Sequence, residues 1–330
     1  MILEPTILGD PHLGRQFKTG VPLGRRGMRE QSMQGDFVRG LRPTGPVHIC
    51  MGDLFDDTVV PYADVVFAAS TYRQTAAQFP GTTFYILQGN HDKSRDAGVV
   101  AAWDLFCMLM DATPNVVCVT EPMAVAGVGL LLPWHPFRTA VEQLGDGAEA
   151  VLYGLTTAYG HWDTDPRGSH HNLIPTQALA KIGIERAFTG HVHLPTTFHR
   201  DGVDVTVVGS MQPYAQGEDG GQGSVRYVTL DLERLHELME VAPASLCNAC
   251  VRLRLAPGEQ YDGEIPDCWS WNVERARPVA VDEEPEDASM DGFDTARAGK
   301  AALDEHDIIP EVRAQIEAKW EETFGRGLPE

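Results

Sequence analysis

Val47-His48-Ile49-Cys50-Met51-Gly52-Asp53-Leu54-Phe55-Asp56 is the stretch that decides the reading of this chain. The run over 47–51 reads as a buried strand, and it ends in Gly-Asp-Leu-Phe-Asp, with two carboxylates just past its tip. Three more apolar runs end in the same way. Residues 2–8 lead to Asp10-Pro11-His12, 83–87 to Gly89-Asn90-His91-Asp92, and 184–188 to Gly190-His191-Val192-His193. Carboxylate, imidazole and carboxamide groups therefore gather at the carboxyl ends of several parallel strands, where open α/β sheets place their function. Oxygen and nitrogen donors without a thiolate suit Mn²⁺, Fe²⁺ or Zn²⁺ with open positions, rather than a closed structural zinc.

Outward from these motifs the chain alternates strand and helix. Met33, Phe37 and Leu41 recur every four residues and predict a helix over 27–41. Val65, Ala69, Tyr72, Ala76 and Phe79 mark an amphipathic helix that Pro80-Gly81 stops. This alternation implies a parallel sheet. The short β-rich runs 116–119, 123–126 and 128–132 predict a second sheet packed on the first. A strand is expected over 150–155, a helix over 174–182, and the last strands of the main domain over 203–208 and 225–232.

Composition sets the frame. The 330 residues, 43% of them hydrophobic, allow one large domain and a smaller appendage. No apolar stretch has transmembrane length, and Met1-Ile2-Leu3-Glu4-Pro5 lacks a signal-peptide pattern, so a cytoplasmic protein without a membrane partner is expected. The six scattered cysteines read as reduced thiols; Cys247 and Cys250 fall short of the four ligands of a zinc site. A net charge of −21 speaks against nucleic acid, but its distribution does not. Arg15, Lys18, Arg25, Arg26 and Arg29 cluster after the first motif, while the segment 273–330 is strongly acidic. A locally basic entrance can hold a phosphate backbone on an acidic molecule, and these five cations are the candidate DNA contacts.

The motifs assemble into a two-cation site. Asp53, at the tip of the central strand, is the natural bridge. Asp10 and His12 reach one ion, Asn90 offers an amide oxygen to the other, and His191 and His193 each serve a different ion. His91 is left to protonate the leaving oxygen, and Asp56 is expected to orient its imidazole.

In these residues the sequence resembles the calcineurin-like metallophosphoesterases. Within them it is similar to SbcD-type nucleases of double-strand-break repair, and most of all to phage recombination endonuclease subunits. Asp10-Pro11-His12-Leu13-Gly14, Arg29-Glu30-Gln31, the three later motifs, and Gly209-Ser210-Met211-Gln212 with Glu218 carry the likeness. The resemblance implies a layered αββα sandwich over 1–232 and two divalent cations, Mn²⁺ first, with Fe²⁺, Zn²⁺ or Mg²⁺ as alternatives. It also implies DNA phosphodiester cleavage, a homodimer, and a partner ATPase of the SbcC type. Residues 233–272 would be a small extension, the remnant of a DNA-capping domain. One departure stands out. The family places a histidine at a strand end between the third and fourth motifs, with glycine five residues on. Here Leu155 ends the expected strand and Gly160 follows it, so His161, in the next loop, is expected to replace the lost ligand through a shift of that loop.

Two rivals remain at this level: a phosphatase or small-molecule phosphodiesterase of the same superfamily, and a non-catalytic scaffold. Asp57 stands where protein phosphatases of this fold carry arginine. Beyond an acidic linker over 273–306, residues 307–326 predict an amphipathic helix whose Ile309, Val312, Ile316 and Trp320 would dock on a partner.

Overall fold

The computed structural model describes residues 4–96, 98–145, 147–165, 170–218, 225–275 and 318–319. The linker past Arg275 and the helix with Ile309, Val312, Ile316 and Trp320 lie outside the described residues.

Four short apolar runs build a parallel sheet in chain order: β1 (Thr6–Leu8), β2 (Val47–Cys50), β3 (Thr83–Leu87) and β4 (Val116–Val119). Between them run α1 (Met28–Gly40), α2 (Tyr62–Gln78) and α3 (Ala102–Met110). Successive side chains of a strand face opposite ways, so each strand feeds two cores. On one side of β2, Val47, Ile49 and Met51 pack with Leu131 and Tyr159 of a second sheet. On the other, Cys50 joins Leu8, Phe84 and Ile86 under Phe37, Tyr72 and Phe106 of the three helices.

The second sheet has the order β5-β6-β7-β8-β10-β9. Its strands are β5 (Met123–Val125), β6 (Gly129–Leu132), β7 (Thr157–His161), β8 (Arg186–Gly190), β9 (Thr196–Arg200) and β10 (Val203–Val207). Leu130, Leu132, Ala158 and Val205 on its outer face pack with α4 (Ala140–Leu144), α5 (Ala148–Leu152) and α6 (Thr176–Lys181) through Leu144, Ala150 and Leu179. Helices, sheet, sheet and helices thus form the expected αββα sandwich. A third, parallel sheet of β11 (Arg226–Leu230), β12 (Ala249–Leu255) and β13 (Ser270–Arg275) follows, with α7 (Leu232–Val241) packed on it through Leu235. Among the described residues no helix is long and apolar enough to cross a membrane.

Four expectations change. Residues 116–119 complete the first sheet as β4, because α3 carries the chain across to a parallel place beside β3. Residues 226–230 join the third sheet, and β13 runs through Val273–Arg275, where the linker was expected to begin. No strand forms over 150–155: residues 150–152 end the helix α5, with Val151 and Leu152 exposed, and a turn follows. The strand comes later, as β7, so His161 itself stands at a strand end and no loop shift is needed.

His48, inside β2, sets an acid limit on this core. Its Nε2 lies 3.0 Å from the Gly40 carbonyl, and burial pulls the ring down from 6.5 to about 4. The unfolded chain binds the proton more readily, so this stability is complete above pH 6.5 and is lost as pH falls towards 4. Between pH 7 and pH 5 the protein should lose about 2 kcal/mol more than a His48→Gln variant in urea unfolding. Equal losses in the two proteins would contradict this.

Candidate metal centre

Every chemistry-bearing motif leaves a sheet at its carboxyl edge. Asp10 and His12 follow β1, Asp53 follows β2, and Asn90 and His91 follow β3. His161 closes β7, and His191 and His193 follow β8. Backbone bonds tie the first two loops together: His12 N–H to the Asp53 carbonyl at 2.9 Å, and Leu13 N–H to that of Leu54 at 2.9 Å. Three of these residues hold left-handed backbone, with φ of 48° at His12, 46° at Asp53 and 72° at His191. Such geometry costs roughly 1–3 kcal/mol outside glycine and gathers at functional sites.

The donors form overlapping groups: Asp10, His12 and His193; His12, Asp53 and His91; and Asp53, His161 and His191. Asp53 links the last two. Its Oδ1 accepts the His91 N–H at 2.9 Å, while Oδ2 lies 3.3 Å from His161 Nε2 and 3.9 Å from His12 Nε2. Asn90 Oδ1 joins the third group, 2.9 Å from His161 Nε2 and 2.8 Å from His191 Nδ1. His12 and His193 face each other through Nε2 atoms 3.0 Å apart. The two histidines of the fourth motif therefore fall into different groups.

These residues fit divalent cations. Asp10 Oδ2 accepts the His191 N–H at 2.8 Å, whereas its Oδ1 is buried without a hydrogen-bond partner. Burial pushes the Asp10 carboxyl up to about 7. Burial also opposes charge on His161, but Asp53 outweighs it and holds that ring up at about 9. The pocket thus has carboxylates that call for positive charge. Burial lowers His12, and burial with His161 nearby pulls His191 down to about 4, which keeps both rings in the neutral form that binds metals. Space is reserved around the donors. A Cβ on Gly89 would lie 2.1 Å from Asp53 Oδ1, and one on Gly190 2.5 Å from Asp10 Oδ1.

Other expected residues are placed differently. The Asp56 carboxylate faces His12 Nδ1 at 3.4 Å and bonds Arg15 at 3.1 Å; only its backbone carbonyl meets His91, 2.6 Å from Nδ1. Arg29 is buried, with its guanidinium 3.6 Å from the Phe17 ring and bonded to Pro213, Tyr227 and Cys250. Arg25 pairs with Asp267 and lies over Trp269. These two arginines fasten the basic loop to the third sheet instead of facing solvent. Arg15, Lys18 and Arg26 line an open cavity of about 420 Å³.

Three residues at the centre had been given no role. Asp92 is fully buried and accepts the N–H groups of Leu54, Phe55 and Gly89, so it joins the second and third motifs. Tyr214 bonds the carbonyl of Pro11 at 2.5 Å and packs edgewise on His12. Glu218 lies 3.2 Å from His193 Nδ1. Asp92 and Glu218 stood inside or beside quoted motifs; Tyr214 carried no sequence signal.

No protein-family model and no characterised protein sequence matches this chain. Among solved structures it is similar to the phosphopantetheinyl hydrolase of Mycobacterium tuberculosis, at 16% identity and a TM-score of 0.37, over 63% of this chain and 92% of that one. A second solved structure matches at 11% identity and a TM-score of 0.33 over the same shares.

Proposed function

We propose that this chain is a metal-dependent DNA phosphodiesterase, the nuclease subunit of a complex with a coiled-coil ATPase of the SbcC type, acting as a homodimer in the cytoplasm. The observation that carries the reading is Asp53, one buried carboxylate shared by donor groups on either side of it. Asp10, His12 and His193 would hold one cation and Asn90, His161 and His191 the other, with Asp53 between them. Bound there, a pair of Mn²⁺ ions would supply Lewis-acid polarisation of the phosphate and an activated water.

The chain does the rest. His91 Nδ1 lies 2.6 Å from the Asp56 carbonyl, so Nδ1–H donates there and Nε2 is left to give a proton to the departing oxygen. The ring is exposed, as contact with a large substrate requires. Lys18 and Arg26 are exposed beside Arg15, which bonds Asp56 next to His12. That favours a polyanion over a small ester. The dimer and the ATPase rest on the motif resemblance.

Hydrolysis of a DNA hairpin, bis-p-nitrophenyl phosphate and p-nitrophenyl phosphate with Mn²⁺ tests the reading. The two diesters should be cleaved and the monoester spared. A Lys18→Glu/Arg26→Glu variant should raise the KM for DNA about tenfold and flatten its salt dependence by roughly two counterions. Its rate on the small diester should not change. Turnover of the monoester alone would refute the proposal.

A further inference from the structure

Tyr214 stands where the third sheet meets the metal centre, and each of its polar groups is engaged. Its ring packs edgewise on both His12 and His193, with centroids 4.9 Å and 5.5 Å away. Its hydroxyl donates to the Pro11 carbonyl at 2.5 Å, inside the first motif. Its N–H donates to Glu218 Oε2 at 2.6 Å, and the other oxygen of Glu218 lies 3.2 Å from His193 Nδ1. Its carbonyl accepts the Tyr227 hydroxyl at 2.7 Å. Tyr227 belongs to β11, so a strand of the third sheet holds the residue that lies against two of the proposed ligands.

Arg29 fixes this contact from α1. Its Nη2 donates to the Tyr227 hydroxyl at 3.0 Å and to the Pro213 carbonyl at 3.1 Å, and Nη1 reaches Cys250 Sγ of β12 at 3.2 Å. The guanidinium is buried, forms no ion pair with any described residue, and leaves Nε without a hydrogen-bond partner. A buried charge without a counter-ion costs stability, and an apolar side chain of similar size would avoid that cost. What the arginine supplies instead is geometry: two of its bonds end on the residues that flank and hold Tyr214. We infer that Tyr214 is a positioning residue which sets the imidazoles of His12 and His193, and that Tyr227, backed by Arg29, holds it there from the third sheet. The inference rests on the proposal that these two histidines hold a cation. The third sheet is then part of the catalytic unit rather than an appendage to it.

Selective ¹⁵N labelling of histidine in the metal-stripped full chain tests this by nuclear magnetic resonance, with the two rings assigned through His12→Gln and His193→Gln. Tyr214→Phe keeps the aromatic ring but cuts the tether to Pro11, and Tyr227→Phe cuts the tether to the Tyr214 carbonyl. Both should move the ring signals of His12 and His193 and leave that of His48, buried in β2, in place. With Mn²⁺, each should lower kcat on bis-p-nitrophenyl phosphate about tenfold at an unchanged KM. The double variant should lose about tenfold rather than about a hundredfold, because both changes release the same ring. Unmoved ring signals in the single variants, or losses in kcat that multiply, would overturn the inference. Should Tyr227→Phe fail to fold, Tyr214→Phe decides by the same two signals. Mn²⁺ should also broaden both rings in the wild type; if they stay sharp, the cation reading itself fails, whatever the ring shifts show.

Discussion

Asp53→Ala should abolish hydrolysis of DNA and of bis-p-nitrophenyl phosphate, lowering kcat by about 10⁴-fold or more, or roughly 5 kcal/mol of barrier. The size follows from how many tasks one side chain performs. Its Oδ2 lies within reach of both His161 and His12, and its Oδ1 holds the backbone N–H of His91 at 2.9 Å. Removing it takes charge from both donor groups and frees the loop that carries the proposed acid. Asp53→Asn separates these roles. The amide can still accept the His91 N–H and tolerates the left-handed backbone at φ 46°, but it brings no charge. Asp53→Asn should therefore keep the fold and lose metal, seen as less Mn²⁺ retained per chain than in the wild type by elemental analysis after loading. Undiminished cleavage by Asp53→Ala would sink the assignment of the centre.

Legibility of the fold in the sequence followed one physical rule. Where a mostly apolar run is buried on both faces, as in β2 with His48 as its single polar residue, pattern and burial agree and the strand and its motif can be read directly. The same holds for α2, whose Val65, Ala69, Tyr72 and Ala76 line its buried face. The failures are places where local pattern and tertiary context diverge. β7 is Thr-Ala-Tyr-Gly-His, buried throughout, yet it lacks an apolar run because its residues are small, aromatic or polar. The stretch Ala148-Glu149-Ala150-Val151-Leu152 looks more like a strand than β7 does, but alanine favours helix and only Ala150 turns inward. The arginines show the same limit. Nothing near Arg25 or Arg29 in sequence announces Asp267, Tyr227 or Cys250, so both read as solvent cations until the third sheet folds against them. Asp56 could be read as an acid near the centre, but which imidazole it faces depends on a loop crossing that no spacing encodes.

His161→Ala should lower kcat by about 10²–10³-fold, and Leu155→His should not restore it. The first effect comes from a fully buried ring whose Nε2 lies 2.9 Å from Asn90 Oδ1 and 3.3 Å from Asp53 Oδ2, with Nδ1 on the Met51 carbonyl at 2.9 Å. Its loss empties one side of the Asp53 carboxylate and leaves that carbonyl without its side-chain donor. The second effect tests the register of the strand. If residue 155 ended the strand facing the centre, a histidine there would rebuild the site. In the structure Leu155 precedes β7 and is buried with Leu179, Ile184 and Ala187 in the core between the second sheet and its helices. An imidazole at that position would sit in an apolar core, cost roughly 1–3 kcal/mol for an unsatisfied polar group, and bring no donor to Asp53. The double variant His161→Ala/Leu155→His should therefore be as inactive as His161→Ala and less stable than it in urea unfolding. Recovery of activity in the double variant would mean that the strand ends six residues earlier and that His161 belongs to the loop after all.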